Sequence, residues 1–499
     1  ISFCKENPLL FNMEYIYETD EDILGLIYIS CKNIGNRKAT GSYYTSTKVV
    51  KNLISRLSFQ EPVKVLDPCC GTGNFLLQLP DVLPFDSIYG NDIDAASVKI
   101  TRLNMALKYN VPVAAIYEHI TGQDYLTDYA EKDFQYIIGN PPWGYDFSEE
   151  EQSHLRTIYK SATGKNIESY DVFIEQALNH LTDNGHLAYV LPEAILNVKA
   201  HTNIRKTILE NCSIKNLVFL GNAFDGVQCP CIILDLQCTR SPLSTVGMNI
   251  TTGTASFTIN IERTVSAEYF SFTTSDAEYN VLCKIRSMPN SAYLLDNADF
   301  ALGIVTGNNK EYISDIKNDN NEMILKGADI CKYHITRTNN YIVFKPENFQ
   351  QAAPTEMYRS PEKLLYRFIS SQLVFAYDDK QTLSLNSCNI VIPRLPGIKI
   401  KYVLAILNSR IAQFIYKKEF NSVKVLRSHI ENIPIPAADA STQAEIIALT
   451  DKLISVLQAD EAEKVYDKLD LLVSKAFNLD SNEIEIINKA VEGDNKFLA

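Results

Sequence analysis

No apolar run in this 499-residue chain is long enough to span a bilayer, so no membrane partner is expected. No basic segment followed by an apolar one stands at its start, so no secretory leader is read and the cytoplasm is the expected compartment. The first residue is Ile1 rather than Met, as in a fragment or a processed product. Eleven cysteines are present, but CxxC spacing is not. The nearest neighbours are Cys69-Cys70 and Cys229-Pro230-Cys231, so no zinc or other metal site is expected. An odd count without even spacing fits a reducing compartment, not a disulfide framework. Internal repeats and low-complexity tracts are also missing. At roughly 100 to 200 residues per domain the length suggests about three domains.

Basic charge is the scarcer sign. Against 60 Asp and Glu stand 47 Lys and Arg, a net charge of −13 that alone argues against a polyanionic partner. The excess is regional. Within 300–435 there are 18 basic and 12 acidic residues, a balance of +6, which leaves −19 for the rest. Arg394, Lys399, Lys401, Arg410, Lys417, Lys418, Lys424 and Arg427 face only Glu419 within their stretch. A charge run of this kind is either a solvated face or a phosphate-binding surface.

Hydrophobic patterning predicts alternating strands and helices. Val63 to Leu66 reads as a strand that turns through Asp67-Pro68-Cys69-Cys70-Gly71-Thr72-Gly73 into a helix beginning at Phe75. Ile88 to Gly90 is a second strand, followed by Asn91-Asp92-Ile93-Asp94 and a helix over 95–109. A weak strand near Ile116, clear strands over 134–138 and 186–191, and a helix over 172–181 continue the alternation, which implies a mostly parallel sheet. The fold class expected is α/β with a Rossmann-like sheet, then an α+β domain and a helical tail. The expected boundaries are 1–245, a connecting region 246–299, 300–436 and 437–499. Thr442 and Glu445 read as a capping box at the start of the tail's first helix, with a second helix over 465–476.

The glycines at 71 and 73 stand at a strand-to-helix turn, where backbone can approach a ligand and the helix start offers free amides. The spacing is not GxGxxG and no Lys-Ser/Thr pair follows, which lowers the dinucleotide and triphosphate readings. Asp92, at the end of the next strand, is placed to accept from both ribose hydroxyls, which indicates an adenosine-containing ligand. Asp124, beside Tyr125, is either an acceptor for an adenine amine or a helix cap. After the third clear strand comes Asn140-Pro141-Pro142-Trp143. Two prolines stiffen the backbone, so the Asn140 carboxamide and the Pro141 carbonyl become two fixed acceptors for one NH2 group, and Trp143 can stack on the ring that carries it.

In this order the motifs resemble the adenine-N6 DNA methyltransferases of the gamma class, which use S-adenosylmethionine. The resemblance runs through Thr40-Gly41-Ser42-Tyr43-Tyr44-Thr45, Asp67 to Gly73, Asn91 to Asp94, Gly122-Gln123-Asp124, Asn140 to Trp143 and Phe219 to Phe224. Gly303 to Gly307, Tyr358 to Lys363 and Leu407 to Arg410 are similar to segments of the target-recognition domains of type II and type IIG enzymes. Ser46, Cys69-Cys70 and Asp92 depart from the family's more common Pro, Ala-Cys and Glu.

The resemblance implies that Tyr44 and Thr45 hold the methionine end of S-adenosylmethionine, with Asp67, Cys69, Gly71, Gly73 and Asn140 along it. It further implies ribose on Asp92, adenine against Ile93, and its amine on Asp124 beside Tyr125. The catalytic set would be Asn140, Pro141, Pro142 and Trp143, with Phe224 on the opposite face of a flipped adenine. Cys69 and Cys70 need not be nucleophiles, and the basic cluster becomes the expected phosphate contact on double-stranded DNA. A separately encoded restriction endonuclease is a compatible partner.

Three other readings compete. One is a protein methyltransferase acting on a glutamine amide; another is a DNA-binding specificity subunit with an inactive cofactor fold. The third is the methylating part of a fused restriction enzyme, for which no paired-acid-plus-lysine cleavage motif is found.

Overall fold

The computed structural model describes residues 20–31, 44–59, 63–224, 229–253, 255–336, 338–420, 422–455 and 459–493. The chain divides into two compact units, with the boundary between Thr273 and Thr274.

In the first unit nine strands form one sheet among the described residues: β1 (Val65–Asp67), β2 (Ile88–Asn91), β3 (Ile120–Thr121), β4 (Phe134–Gly139), β5 (Leu181–Pro192), β6 (Cys212–Gly221), β7 (Cys231–Cys238), β8 (Asn249–Thr252) and β9 (Ala255–Thr258). Their order is β3-β2-β1-β4-β5-β7-β6-β8-β9. β3, β2, β1, β4 and β5 run parallel, and β7 lies antiparallel between β5 and β6. The parallel strands are buried on both faces, which is why Val65, Leu66, Ile137 and Ile138 form unbroken apolar runs. β1 leads through β2 to β3 on one side, and β4 then starts on the other. That reversal puts a crevice at the carboxyl ends of β1 and β4, where open α/β sheets take ligands.

Several boundaries differ from the sequence reading. The stretch around Ile116 is helical, Val113–His119, and β3 is only two residues long. Pro112 stands before the first turn of that helix, and its lack of an N–H costs nothing there. The β8–β9 hairpin extends the first sheet, so this unit closes at Thr273 and not at 245.

Among its described residues the second unit carries two four-stranded sheets. One is wholly antiparallel, in the order Ala298–Ala301, Cys388–Pro393, Lys363–Arg367, Phe375–Asp378. The other is mixed, in the order Ile313–Ser314, Tyr341–Ile342, Glu322–Leu325, Leu383–Ser384. The tail is part of this unit's core and not an appendage: Tyr402, Leu404, Phe414, Ile446, Leu453, Tyr466 and Val473 pack in one cluster. Its first helix begins at Ala440, two residues before Thr442. The cap is Asp439, whose Oδ1 accepts from the Ser441 and Thr442 amides at 2.9 Å each. A further helix, Ser481–Ala490, follows Ala459–Ala476 and was not anticipated. Among the described residues, no helix is long and apolar enough to cross a membrane.

Gly139 ends β4 with φ +144°, and a Cβ there would lie 2.6 Å from Asp67 Oδ1. Gly139→Ala is therefore expected to destabilise the first unit by about 1–3 kcal/mol through overpacking and backbone strain. Differential scanning calorimetry checks this, and an unchanged midpoint would mean that the two strand ends do not approach so closely.

Candidate active site

A cavity of about 630 Å³ opens in the first unit where β1, β2 and β4 end. The glycine loop forms one side. Gly71 and Gly73 have φ +53° and +94°, values that a side chain would disfavour. Asp92 fixes this loop directly, since its Oδ2 accepts from the Gly71 amide and its Oδ1 from the Asp94 amide, each at 2.8 Å. The acid read from the sequence as a ligand contact is thus also the brace of the loop. Asn91, wholly buried beside it, ties three strand ends together. It accepts from Thr121 Oγ1 and the Gln123 amide and donates to the Gln123 carbonyl. Ile93 then projects an apolar side chain that is 71% exposed into the cavity mouth. Asp124 caps the following turn by accepting from the Leu126 amide at 2.9 Å, and both Asp124 and Tyr125 line the cavity.

At the other end stands Asn140. Its Nδ2 donates to Thr45 Oγ1 at 3.0 Å, while its Oδ1 is buried without a hydrogen-bond partner. The Tyr44 hydroxyl is likewise buried and unpartnered, and burial pushes its pKa up to about 12, so it stays protonated. Such orphaned groups are costly in a folded protein unless a ligand completes them. The Asn140–Trp143 loop is held from behind: Ser169 Oγ donates to the Pro142 carbonyl at 2.6 Å and accepts from the Tyr145 amide at 3.4 Å. Cys69 and Cys70 both line the cavity. Burial, reinforced by the Asp67 and Asp92 charges, pushes both thiols well up, which disfavours thiolate chemistry.

Tyr44, Thr45, Cys69, Gly71, Asp92, Ile93, Asp124, Tyr125, Asn140 and Pro142 therefore share one cavity. Asp67 and Gly73 do not line it. Asp67 is fully buried, bonded to the Cys69 amide at 3.2 Å, with burial raising its pKa well above the usual carboxylate range; it shapes the loop from beneath. Trp143 and Phe224 contact each other edge-on, with ring centroids 4.9 Å apart and planes at 82°. Two rings that sandwich a base need roughly 7 Å between them, twice a van der Waals contact. Thr40 to Tyr43 lie outside the described residues. The sequence reading missed Tyr28, Ile29, Asn74, Phe147, His154, Leu155 and Phe173, all of which line the cavity. One signal was available: Ser148 and Glu151 form a capping box that starts the helix Glu149–Ile158, the source of His154 and Leu155.

In the second unit, the basic cluster is largely spoken for. Arg410 pairs with Asp467 at 2.6 Å and Asp470 at 3.4 Å, and Lys401 with Asp451 at 2.6 Å, all acids of the tail. Lys418 pairs with Glu278 at 2.8 Å, Arg394 with Asp299 at 2.8 Å and Arg427 with Glu431 at 2.7 Å. Lys417 also has an interaction partner. Lys399 and Lys424 are exposed with no ion pair among the described residues. Arg410, Lys401 and Lys418 thus bind helices together.

The sheet order, the glycine loop and the acid at the end of β2 are the features of an S-adenosylmethionine-dependent methyltransferase domain. Residues 19–263 match the family model described as N-6 DNA methylase, and 322–435 that of the TaqI-like C-terminal specificity domain. The chain is thus similar to N-6 DNA methylases over its first unit and to TaqI-like specificity domains within its second. It is similar to the type II methyltransferase M.VspI of Vibrio sp. (strain 343), 28% identical over 65% of this chain and 79% of that one. With M.CvrRI of Paramecium bursaria Chlorella virus XZ-6E identity is 31%, over 33% of this chain and 40% of the relative. Among solved structures, the type IIL restriction-modification enzyme MmeI in complex with DNA matches with a TM-score of 0.58 at 13% identity, over 94% of this chain and 81% of that one.

Because Asp92 both shapes the loop and faces the cavity, Asp92→Ala is expected to weaken S-adenosylmethionine binding at least about tenfold, the scale of one or two charge-assisted hydrogen bonds. Titration calorimetry measures it, and an unchanged affinity would remove Asp92 from the site.

Proposed function

We propose that this chain transfers the methyl group of S-adenosylmethionine to the N6 amine of an adenine flipped out of a short motif in double-stranded DNA. The observation that carries this reading is the buried, unpartnered Oδ1 of Asn140, next to a rigid Pro-Pro turn and across from Thr45. Ile93, Asp92, Asp124 and Tyr125 would hold the adenosine half of the cofactor, and Tyr44, Thr45, Cys69 and Asn140 the methionine half. When bound, it supplies an electrophilic sulfonium methyl group. Asn140 Oδ1 and the Pro141 carbonyl each accept one hydrogen of the target amine, which turns the nitrogen lone pair toward that methyl. The N–CH3 bond forms as the S–CH3 bond breaks, and the extra amine proton leaves to solvent. This is catalysis by positioning and electrostatics. Trp143 offers one face for the base, and Phe224 has to move off Trp143 before the ring can be stacked between them.

In the second unit we assign phosphate contact to the exposed Lys399 and Lys424, and a scaffolding role to Arg410. The Lys399→Ala/Lys424→Ala double variant is expected to lower DNA affinity and flatten its log-log salt slope by about 2, near 0.9 per phosphate contact. Arg410→Ala should leave the slope alone and lower the melting temperature. Fluorescence anisotropy across a salt series separates the two, and the reverse pattern would restore Arg410 to the interface. Methylation of one motif also fits a separately encoded restriction endonuclease as cellular partner.

The function itself is tested by modified-base sequencing of DNA from a methylation-deficient bacterial host expressing the chain, beside Asn140→Ala. N6-methyladenine at one motif, lost in the variant although it still binds cofactor, is the expected result. Retained methylation would refute the role of Asn140, and methyl transfer to protein instead of DNA would overturn the substrate.

A further inference from the structure

The helix Ile23–Cys31 lies upstream of every motif used so far, yet Tyr28 and Ile29 on it line the cofactor cavity. It is attached to the middle of the glycine loop at Thr72 and to the turn after β2 at Asp94. Asp22, wholly buried just before the helix, accepts from Thr72 Oγ1, from Asn104 Nδ2 at 2.8 Å and from the Gly25 amide at 2.9 Å. Asn104 also donates to the Thr72 carbonyl at 2.8 Å, so Thr72, between the two loop glycines, is gripped by its hydroxyl and its carbonyl together. Further along, the Tyr28 hydroxyl donates to Asp94 Oδ2 at 2.7 Å, two residues from the acid that braces Gly71. A Cβ on Gly25 would overlap both Asp22 Oδ2 and Thr72 Oγ1, so a larger residue there would have to break the Asp22–Thr72 bond.

We propose that the helix Ile23–Cys31 is a working wall of the cofactor site, with Asp22, Gly25 and Tyr28 as positioning residues that lock it to the glycine loop. This rests on the S-adenosylmethionine reading above. A ligand that fills the cavity touches Tyr28 and Ile29 on the helix and Gly71 and Thr72 on the loop, and the Asp22 knot makes these surfaces move as one. Binding then orders the helix, and loosening the helix costs binding. A purely structural helix would instead lower stability when altered and leave affinity alone.

The test uses the purified full chain with S-adenosylhomocysteine as probe. Calorimetry gives the Kd for the unaltered chain, Gly25→Ala and the milder Tyr28→Phe, while hydrogen exchange follows the amides of 23–31 with and without probe. The expected result is a Kd raised about tenfold or more by Gly25→Ala and several-fold by Tyr28→Phe, the scale of one lost buried hydrogen bond. The probe should also slow exchange in 23–31 of the unaltered chain. Because Tyr28→Phe removes one hydroxyl, it serves if Gly25→Ala does not fold. If the unaltered chain binds but Tyr28→Phe binds within twofold of it and exchange in 23–31 does not respond, the proposal is overturned and the cofactor reading stands. Failure of the unaltered chain to bind the probe overturns both.

Discussion

Two strand ends that nearly touch set the geometry of the whole site. β1 finishes at Asp67, whose carboxyl is buried and holds the Cys69 amide, and β4 finishes beside it at Gly139. No larger residue fits at 139, because Asp67 Oδ1 occupies the space a Cβ would need. Asn140 is the next residue in the chain, so its backbone is placed by that approach, and its carboxamide is then oriented by the bond to Thr45 Oγ1. The same carboxyl starts the turn that carries Gly71, which Asp92 then braces from the neighbouring strand. One buried group thus links the loop proposed to hold the cofactor to the residue proposed to hold the target amine. The expense of burying it is borne by stability, as is usual where a sheet keeps a strained or unpaired group for function.

The second unit makes a similar point with charge. A surplus of Lys and Arg in one stretch of sequence suggests an anionic partner only if the surplus survives folding. Here the acids that cancel it arrive from distant segments: Asp451, Asp467 and Asp470 from the tail, Glu278 from the helix Asp276–Arg286. Arg410 and Asp470 show the consequence. The Asp470 carboxylate is almost wholly buried and its pKa is raised by that burial, though Arg410 beside it pulls the other way. Removing one partner of such a pair strands the other, which is why the guanidinium is better understood as a helix clamp.

How far the sequence revealed this depended on whether the cause was local. β1, β2 and β4, the turns after them and the set Asp92, Asp124 and Asn140 were legible, because apolar runs, glycines and prolines act within a few residues. Val113–His119 was mistaken for a strand since a short apolar run does not distinguish the two; the Pro112 that starts the helix was the overlooked sign. Asp439 displaced Thr442 as cap because both fit the pattern and only one helix start is used. The edge-on contact of Trp143 and Phe224, the burial of Asp67 behind the cavity and the Asp22–Thr72 bond join residues far apart in sequence. Nothing in spacing or composition encodes those.

The phenol and thiols that line the cavity with Asn140 are of one kind, and that bears on the chemistry. Burial keeps the Tyr44 hydroxyl and the Cys69 and Cys70 thiols protonated, and the carboxamide has no charge to lose. A site that removed a proton before transfer would need a base with a pKa near neutrality in reach of the amine. These groups fit a different task, which is to orient a neutral amine. Thr45 completes the argument. By accepting from Nδ2 of Asn140 at 3.0 Å it leaves Oδ1 as the unpartnered atom, proposed above to receive a hydrogen of the target amine, and an amide oxygen can accept there and cannot donate. An aspartate at 140 would bring a charge into a buried pocket. The asparagine gives direction without that desolvation cost, and direction is what in-line transfer to a nitrogen lone pair requires.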